Sequence, residues 1–475
     1  MNQTSTRIPS QTLIKNSVPG HSSWPSPSFP LPLAGGVRGG GDCMQMSSIQ
    51  QPASDMLASV DFPSRQGLPV IAHIATTFKA KAGSARRLYR LLRALRDHGY
   101  GLILIVGRDF EPAAEWDLEG IHVHQIRSLV KYINPADDLK AFLSLRELLR
   151  RLRPHAVHTH LAKAGILGRW AAHLNHTPFI LHTIHGPTFP RTLPLFKRLP
   201  YLLLERMTGR ITDFFVFVGD ELRDEYIRSG VCRRNNSVVI RTGRPDEEID
   251  AVLKTRKEAL LALRRSILRN GDDVLVVNVG RVVPSKQQDH AIKVVREMRQ
   301  KGVMAHLALV GEALLDQEKS HMKSLTELAC RLEMDNHVTF TGHREDALKI
   351  MAASDAVLHT SLYEGLPNIL VECALTAKPV VTYAVSGAAE VVGNGATGFI
   401  LDQGDIPAAA DRLCFLAKHP SLSGLMGKRA RRFLSEEYRE STMIQSKLQF
   451  YERIFFPMIG KKADMNPKAF ANAER

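Results

Sequence analysis

Short apolar runs alternate with amphipathic segments along the chain from Leu68 onward. The run Pro69–Ile74 predicts a buried strand, and the leucines between Leu88 and Leu95 recur at helical spacing. The same patterns predict strands at 102–106, 121–124, 156–160 and 179–183 and helices at 139–152 and 164–174. Because strands and helices take turns, we expect a parallel sheet with helices on both faces.

The alternation starts again at Val274. It predicts strands at 274–279, 306–310, 338–341, 356–359 and 380–382 and helices at 288–299 and 319–332. The chain is therefore predicted to be an α/β protein with two doubly wound domains that join near residues 245–265. Two such domains in tandem leave a cleft at the carboxyl ends of their strands, where phosphorylated ligands bind.

Both ends of the chain fall outside this pattern. Residues 1–66 contain 8 Pro, 6 Gly and 12 Ser, and such a stretch buries too little apolar surface to offset its chain entropy. We expect a disordered tail there, and Met44, Met46 and Met56 indicate that part of it reflects the choice of start site. The predicted domains are 67–250 and 251–437, followed by a segment 438–475 whose helix, at 438–455, returns to the first domain.

Composition and charge narrow the class of protein. The 475 residues are 44% hydrophobic and 23% charged, as in globular chains, and no apolar stretch approaches the ~20 residues that cross a bilayer. Lys and Arg outnumber Asp and Glu by 63 to 48, a formal charge of +15 that favours nucleic acid, anionic lipid or phosphorylated ligands as partners. The five cysteines are scattered, which suits a reducing compartment.

The segment 361–372 is the most informative candidate for chemistry. Glu364 and Gly365 follow a predicted strand, and Pro367 is suited to open a helix because its missing N–H is not needed there. The free amides of that helix start would point into the cleft and attract a diphosphate or sugar oxygens. Glu364 and Glu372 stand eight positions apart, so they would serve different parts of one extended ligand.

A second set of charges follows the first strand of the second domain. Arg281 and Lys286 lie at the carboxyl end of that strand, directly after Gly280. A guanidinium binds phosphate oxygens in bidentate fashion and an ammonium adds a point charge, which together suit a departing nucleotide diphosphate.

These motifs resemble those of a known family. The G-R-x4-K pattern (Gly280, Arg281, Lys286), the stretch Glu364–Pro367 with Glu372, and Ser386–Glu390 occur in the order found in family 4 glycosyltransferases, retaining enzymes of the GT-B fold. The stretches 158–165 and 182–186 resemble the branch that builds polysaccharides and lipid-linked oligosaccharides. The resemblance covers residues 68–440.

The resemblance implies a role for each motif residue. Arg281 and Lys286 would hold the donor diphosphate, and Glu372 would accept hydrogen bonds from the ribose. Glu364 would grip the donor sugar together with the amides of the following loop, formed by Gly365, Leu366, Pro367 and Asn368. His185 would face the sugar across the cleft, and Gly83 would let the backbone approach the donor phosphate or the acceptor.

The resemblance also implies how the reaction runs. Glu364, Arg281, Lys286 and His185 form the expected catalytic set, with the first domain on the acceptor side. We expect a UDP- or GDP-linked sugar donor, no cofactor, no metal and no side-chain nucleophile. The stretch Gly311–Leu314 departs from the family's G-x-G-P pattern near the expected base-binding region, which leaves the nucleotide open.

Two further sequence features have alternative interpretations. His158 and His160 would share one face of a strand and, with His182 and His185, suggest a metal site, but acidic ligands are missing around them. Arginines on the predicted first helix (Arg86, Arg87, Arg90, Arg93, Arg96) and basic residues interleaved with apolar ones at 191–210 indicate either a solvated basic face or docking on anionic lipid. Nucleic-acid-binding motifs are missing, so we expect no nucleic acid.

The sequence thus predicts a cytoplasmic glycosyltransferase of the hexosyltransferase type that acts on a sugar or polyprenyl-linked acceptor in cell-envelope polysaccharide or glycolipid synthesis. Peripheral contact with the inner face of the cytoplasmic membrane is part of this hypothesis. Another GT-B enzyme, such as a nucleotide-sugar epimerase, or a non-catalytic sugar-nucleotide-binding protein remains the alternative.

Overall fold

A computed structural model describes residues 68–268, 273–313, 315–434 and 436–459. The predicted tail at 1–66 and the last residues of the predicted terminal segment lie outside these ranges. Within them the strands form two sheets, and every pair of neighbouring strands is parallel. This is the arrangement that the alternation of strands and helices predicts.

The first sheet has seven strands in the order β3-β2-β1-β4-β5-β6-β7. Its strands are β1 (Val70–Lys79), β2 (Gly101–Glu111), β3 (Ile121–Gln125), β4 (Ala156–His160), β5 (Phe179–Ile184), β6 (Phe214–Phe217) and β7 (Ser237–Val239). The helices of this half are α1 (Gly83–Asp97), α2 (Pro135–Leu152), α3 (Ala162–Leu174), α4 (Leu195–Gly209) and α5 (Asp220–Arg228). Two helices, α6 (Asp246–Leu253) and α7 (Lys257–Ile267), follow along the chain and pack against the second half.

The second sheet has six strands in the order β10-β9-β8-β11-β12-β13. Its strands are β8 (Val274–Val279), β9 (Ala305–Val310), β10 (Val338–Gly342), β11 (Ala356–His359), β12 (Val380–Tyr383) and β13 (Gly398–Leu401). The helices that follow are α8 (Gln288–Gln300), α9 (Asp316–Arg331), α10 (Ala347–Ala353), α11 (Asn368–Leu375), α12 (Ala388–Val391), α13 (Ile406–Lys418), α14 (Pro420–Phe433) and α15 (Glu440–Ile459).

The structure adds elements that were not predicted, namely β6 and the helices α4–α7, α10 and α12–α14, and it starts one predicted helix at a different residue. Strand β6 was not predicted, because Thr212 and Asp213 interrupt the apolar run that leads into it. Helix α11 begins at Asn368, so Pro367 is the residue before the helix and not its first. Its carbonyl and fixed φ still set the direction in which the helix starts.

The last helix packs on the first sheet. Tyr451 and Phe455 of α15 are fully buried, and their rings stack on one another with centroids 6.3 Å apart. Tyr100, which precedes β2, contacts both rings. The chain therefore crosses back from the second half to complete the core of the first.

Backbone contacts fix the segment that joins the two halves. The amide of Arg244 donates to the carbonyl of Tyr438 at 2.8 Å, and the amide of Glu440 donates to the carbonyl of Arg244 at 2.9 Å. A Cβ on Gly243 would lie 2.4 Å from the carbonyl oxygen of Arg439, so only glycine allows this approach. The pairing holds the Arg244 side chain at a fixed place between the halves.

The two halves also meet through a carboxylate of the second half. Glu390 of α12 accepts a hydrogen bond from the amide of Glu221 at 3.0 Å and pairs with Arg241 at 3.0 Å. In return, the Glu221 carboxylate accepts from the amide of Gly387 at 2.8 Å. The motif residue Glu390 thus serves contact between the halves.

Helix α4 is attached to α3 by a buried ion pair. Arg169 Nη2 lies 2.9 Å from Glu205 Oε2, and the two side chains are 0% and 2% exposed. Trp170 adds a hydrogen bond from its indole to Thr208 at 3.0 Å.

Over the described ranges, no helix combines the length and the apolar character needed to span a bilayer.

We predict that Arg169→Met destabilises the fold by about 3–5 kcal/mol, because it leaves the Glu205 carboxylate buried without its partner. The free energy of unfolding from urea titration measures this effect. The double variant Arg169→Met with Glu205→Leu should recover most of the loss, since both charges are then gone. A single variant as stable as the parent would contradict the account of this ion pair.

Candidate functional site

The ends of strands from both halves surround one cavity of about 300 Å³. Residues that line it include Gly83 at the start of α1, Arg244 from the joining segment, Gly280 and Arg281 after β8, Gly311 after β9, and Glu372 of α11. Seven Lys and Arg side chains line the cavity against four Glu side chains. The site therefore favours a ligand with negative charge.

Lys286 and Glu364 form an ion pair beside this cavity. Lys286 lies in a short 3₁₀ turn after β8, and its Nζ donates to Oε1 of Glu364 in the loop after β11. The Nε2 of His359, the last residue of β11, lies 3.4 Å from the same oxygen, and its Nδ1 lies 2.8 Å from Thr382 Oγ1. Contacts with the turn after β8 and with residues of β11 and β12 thus hold this loop in position.

Burial would raise the pKa of Glu364, but the charge of Lys286 and the contact with His359 outweigh it and lower that pKa to about 2. The carboxylate is therefore ionised throughout the neutral range. It can accept hydrogen bonds from hydroxyl groups, and it is a poor base.

Arg281 is placed differently from Lys286. Its side chain is 49% exposed, and Nη1 lies 3.5 Å from Oε1 of Glu318. Lys131 of the first half lies 3.9 Å from the same carboxylate oxygen. Because the contact with Glu318 is long and the Arg281 side chain is half exposed, the guanidinium can turn toward a phosphate at little cost.

Glu372 pairs with a residue that the motifs did not indicate. Its carboxylate contacts the guanidinium of Arg244. Burial, together with Arg87 and Arg90 nearby, lowers the pKa of Arg244 to about 9, and its Nε is buried without a hydrogen-bond partner in the described part of the chain. The carboxylate predicted to bind ribose thus lies against a cation in this structure.

The loop of Glu364 packs against the loop after β5. A Cβ on Gly365 would lie 2.4 Å from the carbonyl oxygen of His185 and 2.9 Å from Cα of Gly186. The two loops therefore touch backbone to backbone, and glycine at 365 is what permits it. This contact places the backbone of His185, from the first half, next to the loop that carries Glu364 in the second half.

A second, smaller cavity of about 20 Å³ lies on the first half, next to His185. His160, Arg87 and Lys447 also line it. Burial, with the charges of Arg87 and Lys447, lowers the pKa of His185 to about 3. Its imidazole is therefore neutral and can both donate and accept hydrogen bonds.

Three imidazoles near this cavity have ring nitrogens within 4.8 Å of one another: His73, His158 and His160. Nδ1 of His73 lies 3.1 Å from Nε2 of His160, while His158 contacts Thr183 Oγ1 at 2.7 Å and the hydroxyl of Tyr451. Burial lowers the pKa of all three imidazoles, and the positive charge of Lys447 lowers it further. A cation beside them and hydrogen bonds at both nitrogens of His158 fit a neutral network better than a metal centre.

Not every predicted site residue points its side chain at the cavity. Leu366 is 3% exposed and packs in the hydrophobic core, so only its backbone is available to a ligand. Pro367 is also buried. Asn368 has a buried Oδ1 that lacks a hydrogen-bond partner within the described ranges.

Sequence reasoning missed Arg244, His359, Lys447 and His73. Arg244 directly follows Thr242 and Gly243 in the segment between the two predicted domains, where no strand or helix pattern marks it. His359 ends a predicted strand and could have been found by that position. His73 joins the histidine cluster only because β1 pairs with β4, which places it beside His158.

Comparison with known families matches both halves of the chain. Residues 82–248 match the model described as Glycosyltransferase Family 4, and residues 261–433 match Glycosyl transferases group 1. The two matches leave only residues 249–260 uncovered between residues 82 and 433.

Similar proteins agree with these matches. The UDP-Gal:alpha-D-GlcNAc-diphosphoundecaprenol alpha-1,3-galactosyltransferase of Escherichia coli is 25% identical over 66% of this chain and 79% of its own length. The capsular polysaccharide glycosyltransferase CapM of Staphylococcus aureus is 24% identical over 75% and 91%. Anabaena HepE in complex with UDP and glucose superposes with a TM-score of 0.67 at 21% identity, covering 81% of this chain and all of that chain.

We predict that Gly365→Ala separates the two loops, because its Cβ would collide with the backbone at His185. Hydrogen–deuterium exchange should show faster exchange of amides in residues 182–188. Gly186→Ala is the matched control, since its Cβ would find its nearest atom at 3.8 Å, an ordinary contact. Equal exchange in both variants would contradict the close packing of these loops.

Proposed function

This chain belongs to the family 4 glycosyltransferases of the GT-B fold, with a second half of the group 1 type, and on that premise we propose that it transfers a hexose from a nucleotide diphosphate to a sugar or polyprenyl-linked acceptor. The observation that carries this proposal is that Arg281 and Glu372 line one cleft and that the Lys286–Glu364 ion pair lies next to it, beside Gly280. They supply two cations for a diphosphate and two carboxylates for hydroxyl groups.

The donor diphosphate would bind Arg281 and Lys286. Both follow the same strand, and the chain of Lys286 runs past Gly280, where a Cβ would lie 3.5 Å from Cε of the lysine. Their charges would stabilise the negative charge that develops on the leaving phosphate. The start of α1 at Gly83 would add backbone amides from the opposite side.

The donor sugar would lie between Glu364 and His185. Glu364 is held ionised by Lys286, which suits it to accept hydrogen bonds from sugar hydroxyls and not to abstract a proton. We therefore assign no side-chain nucleophile or base. Attack on the face of the leaving group, with the departing phosphate oxygen taking the acceptor proton, would retain the anomeric configuration.

We propose that no divalent metal takes part. Seven cationic side chains line the cleft against four carboxylates. This surplus of positive charge can neutralise a diphosphate without a metal ion. A metal-dependent site would instead need carboxylates free to coordinate the ion, and Glu364 and Glu372 each pair with a cation here.

The named relatives support a particular donor and acceptor. The Escherichia coli relative is named for UDP-galactose and a diphosphoundecaprenol-linked acceptor, and the HepE structure contains UDP. We propose a UDP-linked hexose as the donor, with GDP as the alternative, and a polyprenyl-linked sugar as the acceptor.

Contact with a membrane would bring such an acceptor to the cleft, and α4 is the surface suited to it. Seven of its large apolar side chains are exposed, a high density for one 15-residue helix: Leu195, Phe196, Leu199, Tyr201, Leu203, Leu204 and Met207. Lys197 and Arg191 are exposed beside them. An exposed apolar face with basic neighbours is typical of helices that lie in an anionic membrane surface.

Three of the five arginines of α1 lie at the cleft and not on a free outer face. Arg86, Arg87 and Arg90 line the cleft, so the expectation that this whole helix presents a lipid-docking face does not hold for them. We assign the docking surface to α4 and place the enzyme on the inner face of the cytoplasmic membrane.

We predict that Lys286→Ala lowers kcat about 10²–10³-fold, because the leaving diphosphate loses a cation. The assay uses labelled UDP- and GDP-hexoses with the full chain, in the presence of EDTA, and identifies the product by mass. Lys301→Ala is the control, since Lys301 directly follows the C-terminal end of α8 and pairs there with Asp411 of α13. Unchanged turnover in Lys286→Ala, or an epimerised free donor as the only product, would contradict the proposal.

We predict that Phe196→Ser combined with Leu203→Ser abolishes retention of the protein on phosphatidylglycerol vesicles at low salt, because the apolar face of α4 is lost. The matched control is Leu425→Ser with Phe433→Ser on α14, a basic helix with similarly exposed apolar residues. Sedimentation with vesicles measures binding. Loss of retention only in the α14 variant would move the docking surface elsewhere.

A further inference from the structure

Two helix starts from different halves exchange hydrogen bonds. The amide of Glu221, in the first turn of α5, donates to Oε1 of Glu390 at 3.0 Å, and the amide of Gly387, just before α12, donates to Oε2 of Glu221 at 2.8 Å. Amides at a helix start have no acceptor within their own helix, so each half supplies the acceptor that the other half needs. We call these two hydrogen bonds the clasp.

Gly219 makes room for the clasp. It is the residue before α5, and it has no side chain with which to cap that helix. A Cβ at this position would lie 2.9 Å from Oε1 of Glu390, closer than a Cβ normally approaches an oxygen. Ser, Thr, Asp or Asn would cap the helix from its own half. With glycine there, the carboxylate of Glu390 takes the place of the cap from the other half.

Arg241 holds Glu390 in this position. Its Nη2 lies 3.0 Å from Oε2 of Glu390 and 2.8 Å from Oδ2 of Asp220, the first residue of α5. Its Nε donates to the hydroxyl of Tyr438, shortly before α15, at 3.1 Å. Because the Glu390 side chain is only 13% exposed, solvent ions screen its pairing with Arg241 little.

The clasp lies against the loop that carries Glu364. Gly387 has a φ of +77°, and a Cβ there would lie 2.9 Å from the carbonyl oxygen of Gly365 and 3.0 Å from Cδ1 of Leu366. The turn at Gly387 therefore packs on this loop on one side, while the backbone at His185 packs on it from the first half. Since the clasp fixes Gly387 from the first half, it also fixes one of the two backbone neighbours of the loop.

We propose that Glu221 and Glu390 are positioning residues for the donor-sugar loop, residues 364–368. Neither needs to touch the donor, because Glu221 fixes the turn at Gly387 and that turn fixes the loop. Resting on the proposed function, the clasp makes tight binding of the donor sugar depend on contact between the halves. The cations proposed for the diphosphate are not part of the clasp, so sugar and nucleotide should respond differently to its loss.

The test compares two probes by calorimetric titration into the full chain. The first is UDP, and the second is UDP-galactose or UDP-glucose, whichever the parent protein binds more tightly. Only the second needs the donor-sugar loop. We expect Glu221→Ala to weaken binding of the UDP-sugar about tenfold, as for the loss of one hydrogen bond to a charged acceptor, and binding of UDP less than about twofold.

Two variants serve as controls for this comparison. Glu221→Gln should bind both probes like the parent, since its amide oxygen still accepts from Gly387. Asp224→Ala is the matched control on the same helix, because Asp224 pairs with Arg234 outside the clasp. It should also bind both probes like the parent.

Gly219→Ser separates this role from helix stability. Its side chain would displace the Glu390 carboxylate and cap α5 from its own half. We therefore expect the Tm to be kept or raised, while affinity for the UDP-sugar falls several-fold and affinity for UDP is kept.

Equal weakening of both probes in Glu221→Ala, or unchanged UDP-sugar affinity in Glu221→Ala and Gly219→Ser, would overturn the inference. A parent protein that binds no UDP- or GDP-sugar would instead count against the proposed function. Hydrogen–deuterium exchange without ligand then still tests the clasp. Amides at 364–368 and 386–388 should exchange faster in Glu221→Ala than in Asp224→Ala, and equal exchange would overturn the positioning role.

Discussion

Positive charge is concentrated where the strand ends of the two sheets meet. The cleft holds more Lys and Arg than Glu, and nearly every carboxylate there is already paired with a cation. Lys81 reaches across from the first half to Glu312 of the second at 3.1 Å, and Arg244 and Lys286 pair with Glu372 and Glu364. A bound diphosphate would take over cations that now hold these carboxylates, which frees the carboxylates for hydroxyl groups of the ligand.

The fold positions these charges through close backbone contacts that depend on glycine at two positions. Gly365 lets the Glu364 loop touch His185, and Gly243 lets the joining segment pair with the chain before α15. Helix α15 packs in the core of the first half. The residues just before and at its start pair with the backbone of Arg244, so this helix also fixes the position of Arg244. Lys447 comes from this same helix and lines the smaller cavity beside His185.

The sequence predicts the parts of the molecule that depend on neighbours along the chain. Alternating strands and helices gave two parallel sheets, and Arg281, Lys286 and Glu372 were found because each follows a recognisable strand or helix start. Arg244, Lys447 and His73 act through pairings between residues far apart, such as β1 with β4, which a single sequence does not reveal. The exposed apolar face of α4 was also only partly visible, because exposure depends on what packs against a helix.

A crystal structure of the full chain with UDP tests the central claim most directly. We predict that the diphosphate lies within hydrogen-bond distance of Arg281 and Lys286, that the ribose hydroxyls contact Glu372, and that the Arg244–Glu372 contact is broken. A diphosphate bound at Arg87 and Lys447, with Arg281 and Lys286 unengaged, would contradict it.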